Sequence, residues 1–289
     1  MGHEQNEIGV PPVTMPGYSP IGVFDSGFGG LTIFRRIRQL LPQYDFIYLG
    51  DNARTPYGNR SFETVCKFTT EAVRYLIERG CPLVIIACNT ASAKALRNVQ
   101  QQYLPAHCPD RRVLGVIRPT VEAIGDRHDL RTVALWATQG TVTSDSFAIE
   151  IAKHAPRVRL VQQACPLLVP LVEAGELEGQ GLDHFIRKYW DLTVEQDGTV
   201  DTLLLGCTHY PLIQSRIRAL LPPLVRILSQ DALVAPSLAN YLVRHPEIES
   251  RLSRRESCLY LTTDQCRHFD HLAEIFMGHA VSSEKVELS

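Results

Sequence analysis

The chain has 289 residues, 45% of them hydrophobic and 21% charged, with a formal net charge of −2. That length suits one large or two ordinary α/β domains with a sizeable core. The near-neutral balance excludes the basic footprint of a nucleic-acid binder, so a small-molecule partner is expected and no nucleic acid.

Residues 1–20 hold four prolines and several polar residues without a helical or strand period, and read as an N-terminal extension with no chemistry. No basic stretch followed by an apolar core opens the chain, and no apolar run reaches membrane-spanning length. The expectation is a cytoplasmic protein with no membrane partner. From Ile21 the pattern changes. Ile21–Phe24 reads as a strand, Asp25-Ser26-Gly27-Phe28-Gly29-Gly30 as a turn, and Leu31–Leu41 as a helix with apolar residues at helical spacing. Phe46–Leu49 reads as the next strand. Ser61 is placed to cap a helix running to about Arg79, with Gly80 as its stop. Leu83–Ala87 is a strand that leads into Cys88-Asn89-Thr90 and a helix from about Ala91. Further strands are expected at Val113–Ile117, Thr132–Trp136, Val158–Gln162, Thr202–Leu205, Val225–Leu228 and Leu259–Thr262.

Short apolar strands alternating with helices predict an α/β fold, its mostly parallel sheets covered on both faces. The stretch Leu83–Thr90 is echoed by Leu203–His209: each is a buried strand ending in a small residue, then Cys, then polar residues. The two lie about one domain length apart. We therefore expect two similar domains, each presenting one cysteine at the C-terminal end of a strand, where ligands bind in open parallel sheets.

The eight cysteines contain no C-x-x-C pair, which argues against a zinc ribbon or a thioredoxin-type site. No metal and no cofactor are expected. Disulfide frameworks belong to small secreted chains, so reduced thiols are expected, most of them packing as small apolar residues. Cys88 and Cys207 differ. A strand-to-helix junction favours the thiolate through the positive end of the helix, and a thiol brought near neutral pKa serves as general acid or base. Two such thiols facing across a cleft can remove a proton from one face of a carbon and return one to the other. Asn89, Thr90, Thr208 and His209 surround them with donors and acceptors, beside backbone N–H groups suited to a carboxylate. A covalent role for one Cys with His209 is the competing chemistry.

Asp25 and Ser26 end the first strand. A carboxylate there holds an ammonium or orients a thiol; the bland alternative is a helix cap and tight turn. Thr32 stands where the dinucleotide fingerprint needs its last glycine. Tyr57 and Gly58 lie in a long polar loop that reads equally as functional or as a surface turn. Glu173 and His209 are each able to tune a thiol or shuttle a proton, although a lone Glu is usually solvated surface.

The segments Ile21–Gly30 (IGVFDSGFGG), Tyr48–Gly58 (YLGDNARTPYG), Ile86–Ser92 (IACNTAS) and Leu204–Pro211 (LLGCTHYP) together resemble the glutamate racemases of the aspartate/glutamate racemase superfamily. The resemblance implies a cofactor-independent, two-base racemase supplying D-glutamate for peptidoglycan, with two α/β domains, the active site in the cleft between them, and a homodimer. It implies that Cys88 and Cys207 are the catalytic thiols, and that Asp25-Ser26, Tyr57-Gly58, Asn89-Thr90 and Thr208-His209 bind substrate. It also implies that Asp25 and His209 assist the thiols and that Glu173 supports them. His209, two residues after the second cysteine, favours glutamate over aspartate. Thr120 and Phe147 depart from the residues common in the family. The expected division is 21–115 with 226–289 as the first domain and 116–225 as the second. Rival readings are an aspartate racemase, a cysteine-dependent lyase or isomerase of the superfamily, and a two-lobed binding protein.

Overall fold

The computed structural model describes residues 17–288. Most of the expected extension, residues 1–16, lies outside the described residues; Ser19 is fastened by a pair of hydrogen bonds with Ser253.

Among the described residues, ten strands form two sheets. β1 (Ile21–Asp25), β2 (Phe46–Gly50), β3 (Leu83–Ile86), β4 (Arg112–Gly115), β9 (Cys258–Thr262) and β10 (Ser283–Lys285) make a six-stranded sheet in the order β10-β9-β2-β1-β3-β4. β5 (Thr132–Ala137), β6 (Arg159–Ala164), β7 (Thr202–Leu205) and β8 (Arg226–Ser229) make a four-stranded sheet in the order β6-β5-β7-β8. Every pairing is parallel. Central strands β1, β3, β5 and β7 are buried along their whole length, which is why they read as unbroken apolar runs.

Helix Leu31–Leu40 packs on Gln230–Arg244, and one apolar core runs through the inner faces of both sheets. A second cluster lies under helix Phe62–Glu78, and a third joins the four-stranded sheet to helices Ile117–Gly125 and Ser146–His154. Ser61 caps the helix after it, its Oγ accepting from Thr64 N at 3.2 Å, and Gly80 takes φ of 91° at the far end.

The structure differs from the sequence reading in places. Strand β8, which opens one residue after position 225, pairs with β7 in the four-stranded sheet. Hydrogen bonding along a strand settles its sheet, and an apolar run of four carries no sign of its neighbour. The strand expected over Val113–Ile117 ends at Gly115, and Ile117 opens a helix. That apolar run serves a strand end and a buried helix start in succession, which periodicity cannot separate. β10 was not expected: Ser283-Glu284-Lys285 is polar and half-exposed, and it is a strand only because β9 offers an edge.

Candidate active site

β1, β3 and β7 each deliver a motif at their C-terminal ends. After β3, Cys88 takes an extended conformation and caps helix Asn89–Lys94, its Sγ accepting from Ala91 N at 3.4 Å. Ser26 Oγ lies 3.3 Å from the same sulfur. After β7, Cys207 stands before a single 3₁₀ turn, Tyr210–Ile213, and its sulfur lies 3.8 Å from His209 Nδ1. His209 Nε2 lies 3.0 Å from Glu173 Oε1, at the end of helix Leu168–Glu173. Cys88 and Cys207 are 6% and 5% exposed, and their sulfurs are close enough that charge on Cys207 disfavours charge on Cys88.

The loop after β1 touches both cysteine motifs. Asp25 Oδ2 accepts from Gly27 N at 2.9 Å, so the carboxylate does close the turn. Its Oδ1 is buried without a partner, which a turn alone does not explain. Ser26 reaches Cys88, while Thr32 Oγ1 reaches Thr208 O at 2.9 Å in the other half of the molecule. Gly29 is required by close approach: a Cβ there would lie 2.3 Å from Thr208 Oγ1 and 2.4 Å from His209 Nδ1.

The remaining expected residues gather around this centre. Asn89 Nδ2 donates to Gln230 Oε1 at 2.5 Å, and Thr90 Oγ1 lies 2.9 Å from Thr138 Oγ1. Gly58 O accepts from Gly140 N at 2.8 Å across the cleft. Tyr57 is nearby but its phenol is engaged elsewhere, donating to Asp51 Oδ2 at 2.5 Å within a buried aromatic group with Phe24 and Phe68. The Tyr57 hydroxyl is thus already satisfied away from the cysteines.

Thr138, Thr141 and Gln230 were not singled out in the sequence; Gly29 was seen there only as part of the turn, and Thr32 only as a departure from the dinucleotide fingerprint. Thr138 follows β5 directly and caps its own short helix, so the signal was its position at a strand's C-terminal edge. Gln230 carried no signal, because it enters the site from the chain's return crossing.

The two thiols have different neighbours. Burial, reinforced by Asp25, pushes the Cys88 thiol up to about 12 against the opposing bonds from Ser26 and Ala91 N–H. The helix-terminus argument predicts the reverse; burial outweighs one weak N–H bond. Burial pulls the His209 imidazole down, but hydrogen bonds with Cys207 and Glu173 overcome it and carry His209 to about 10. These bonds favour the cationic form of His209. Burial raises the Asp25 carboxyl above its ordinary value, opposed by the charge on His209. The arrangement holds one neutral thiol, one sulfur beside an imidazolium, and buried acceptors between them, which is a proton-transfer site.

All eight cysteines are free. Among the described residues no group of His, Cys, Asp and Glu forms a metal-binding cluster, and no helix is long and apolar enough to cross a membrane.

Residues 21–235 match the Asp/Glu/hydantoin racemase family, and the chain belongs to that family. It is 39% identical over 276 residues to the glutamate racemase of Jannaschia sp. (strain CCS1), covering 92% of this chain and 99% of that protein. It is similar in structure to glutamate racemase isoform RacE1 from Bacillus anthracis, with a TM-score of 0.84 at 32% identity, covering 94% of this chain and 98% of the other. The glutamate racemase of Francisella tularensis in complex with D-glutamate superposes with a TM-score of 0.82, also at 32% identity, covering 94% and 98%.

Proposed function

We propose that this enzyme interconverts L- and D-glutamate without a cofactor, with Cys88 and Cys207 as the opposed acid and base at the α-carbon. The observation that carries this reading is the placement of the two sulfurs. Each is buried at the end of a central strand of a different sheet, charge on Cys207 disfavours charge on Cys88, and each has its own hydrogen-bond companion. In one direction a sulfur abstracts the α-proton as the thiolate while the other, as the thiol, delivers a proton to the opposite face; the reverse direction exchanges the roles. Asp25 and His209 assist the thiols and Glu173 holds the imidazolium. Ser26, Asn89, Thr90, Thr208, the backbone of Tyr57 and Gly58, and the hydroxyls of Thr138 and Thr141 bind the amino acid. The similarity to curated glutamate racemases over almost the whole chain supports glutamate as the substrate. The reading extends to a cytoplasmic homodimer that supplies D-glutamate for peptidoglycan, and to a division of the chain into two domains flanking the cleft.

The test is circular dichroism of L-glutamate in D2O, with wild type, Cys88→Ala and Cys207→Ala. Inversion of glutamate with deuterium entering the α-carbon, lost in both variants, is expected. Inversion of aspartate alone would move the substrate, and inversion by either alanine variant would remove the two-thiol mechanism.

A further inference from the structure

Asn89 follows Cys88 and is 3% exposed, yet its Oδ1 has no partner. What decides which end of this amide is left unpaired lies outside the cysteine motifs. Gln230 is the first residue of helix Gln230–Arg244, where the chain returns from the four-stranded sheet, and it is 2% exposed. Val116 follows β4, where the chain leaves the six-stranded sheet. Gln230 Nε2 lies 2.9 Å from Thr120 Oγ1 and 3.4 Å from Val116 O.

The polarity of this chain of bonds is forced from one end. A backbone carbonyl only accepts. Thr120 Oγ1 donates its single hydrogen to Val116 O at 2.7 Å, so it presents only lone pairs to Gln230. Gln230 must therefore turn its NH2 towards both, and its Oε1 faces Asn89. Asn89 in turn must offer its NH2, at 2.5 Å, which directs Oδ1 away as an acceptor. A flip of either amide would bring like groups together in a site closed to water, leaving several buried groups unsatisfied at once.

We propose that Gln230 and Thr120 are positioning residues that fix the Asn89 side chain with its oxygen presented to the substrate's ammonium group. This rests on the proposed reading that the cleft takes an amino acid, and deepens it: the orientation of Asn89 selects for the α-amino group and not for the two carboxylates. The same bonds tie the outgoing and returning crossings between the sheets, so the acceptor is held relative to both halves of the site.

The experiment compares L-glutamate with glutarate, the same dicarboxylate without the amino group, as a competitive inhibitor. Thr120→Val removes the hydroxyl at nearly constant size, and Gln230→Glu removes the donor that Thr120 and Val116 require. Each variant is expected to raise the KM for glutamate roughly tenfold, the weight of one oriented bond to a charged group. The Ki of glutarate should move less than about twofold and kcat should fall less than KM rises. Parallel shifts in KM and Ki would show general loosening of the cleft and overturn the relay, as would unchanged KM in both variants. If Gln230→Glu fails to fold, Thr120→Val alone carries the same comparison. Wild-type turnover with deuterium incorporation is scored separately; its absence overturns the glutamate reading and the relay that rests on it, whereas its presence with parallel shifts overturns only the relay.

Discussion

The two cysteine-bearing halves of the site look alike in sequence and differ in physics. Cys88 is followed immediately by a regular helix, is capped by a backbone N–H, and has the neutral Ser26 hydroxyl as its companion. Cys207 is followed by a 3₁₀ turn and has a cationic imidazole as its companion, itself anchored by Glu173. Burial is nearly equal in the two, so companions and not exposure make the difference. One half keeps its proton on sulfur, and the other keeps a positive charge beside sulfur. A reaction that must run in both directions across a symmetric energy profile does not require symmetric acids and bases. It requires only that the summed cost of preparing one thiolate and one thiol be similar in the two states.

The largest effect that would break this comparison is removal of the imidazolium. His209→Asn is expected to lower turnover by about a hundredfold or more, the usual weight of a positioned acid–base group. Because the enantiomers are equal in energy, kcat/KM must fall alike in both directions. The asymmetry should instead appear in the primary isotope effects with α-deuterated L- and D-glutamate, and equal changes in both would mean that His209 serves both thiols.

Glu173→Gln should sharpen the contrast through pH. The His209 value of about 10 lies above its ordinary 6.5, so the cation's contribution to stability is complete below 6.5 and is lost as pH rises through 10. Without the Glu173 charge the imidazole loses one of its two raising partners and keeps the bond with Cys207, so its pKa falls part of the way and the alkaline fall in Tm and in kcat/KM should begin at a lower pH. Profiles of both quantities between pH 6 and pH 10.5 measure this, and an unmoved alkaline limb would exclude Glu173 as the anchor of the cation.

Gly29→Ala tests the contact between the halves. Its Cβ would overlap Thr208 Oγ1 and His209 Nδ1, and overpacking of this kind costs about 1–3 kcal/mol. Gly27→Ala, whose nearest neighbour is Thr55 Oγ1 at 3.2 Å, should cost much less in thermal unfolding. Equal losses would mean that the loop yields freely. The smallest effect belongs to Ser26→Ala, which removes a neutral bond worth about 0.5–1.5 kcal/mol and should reduce kcat by no more than about tenfold. A larger loss in kcat would give Ser26 a part in the proton transfer itself, beyond steadying Cys88 and binding substrate.

Particular residues show where the sequence was legible. β1, β3, β5 and β7 announced themselves because a strand buried on both faces must be apolar throughout, and the Cys motifs stood out because polar residues crowd the ends of such strands. Ser61 and Gly80 bounded a helix through local chemistry alone. β10 was hidden because its polar residues gain strand geometry only from β9. β8 was visible as a strand but not assignable to a sheet. Tyr57 drew notice as a candidate binder, yet Asp51 holds its phenol, and no local pattern reports that bond.

By itself the sequence determined the alternation of strand and helix, the two cysteine motifs and the polar residues beside them. Each of these depends on neighbours a few positions away, where propensity and burial pattern act. Tertiary structure alone decided which cysteine received a cation, why the Cys88 thiol lies high when its helix would lower it, and how Gln230 reaches Asn89. Those outcomes depend on the water excluded and the groups brought together when distant segments close on one another, and the energies of buried charges and hydrogen bonds exist only once that closure has happened.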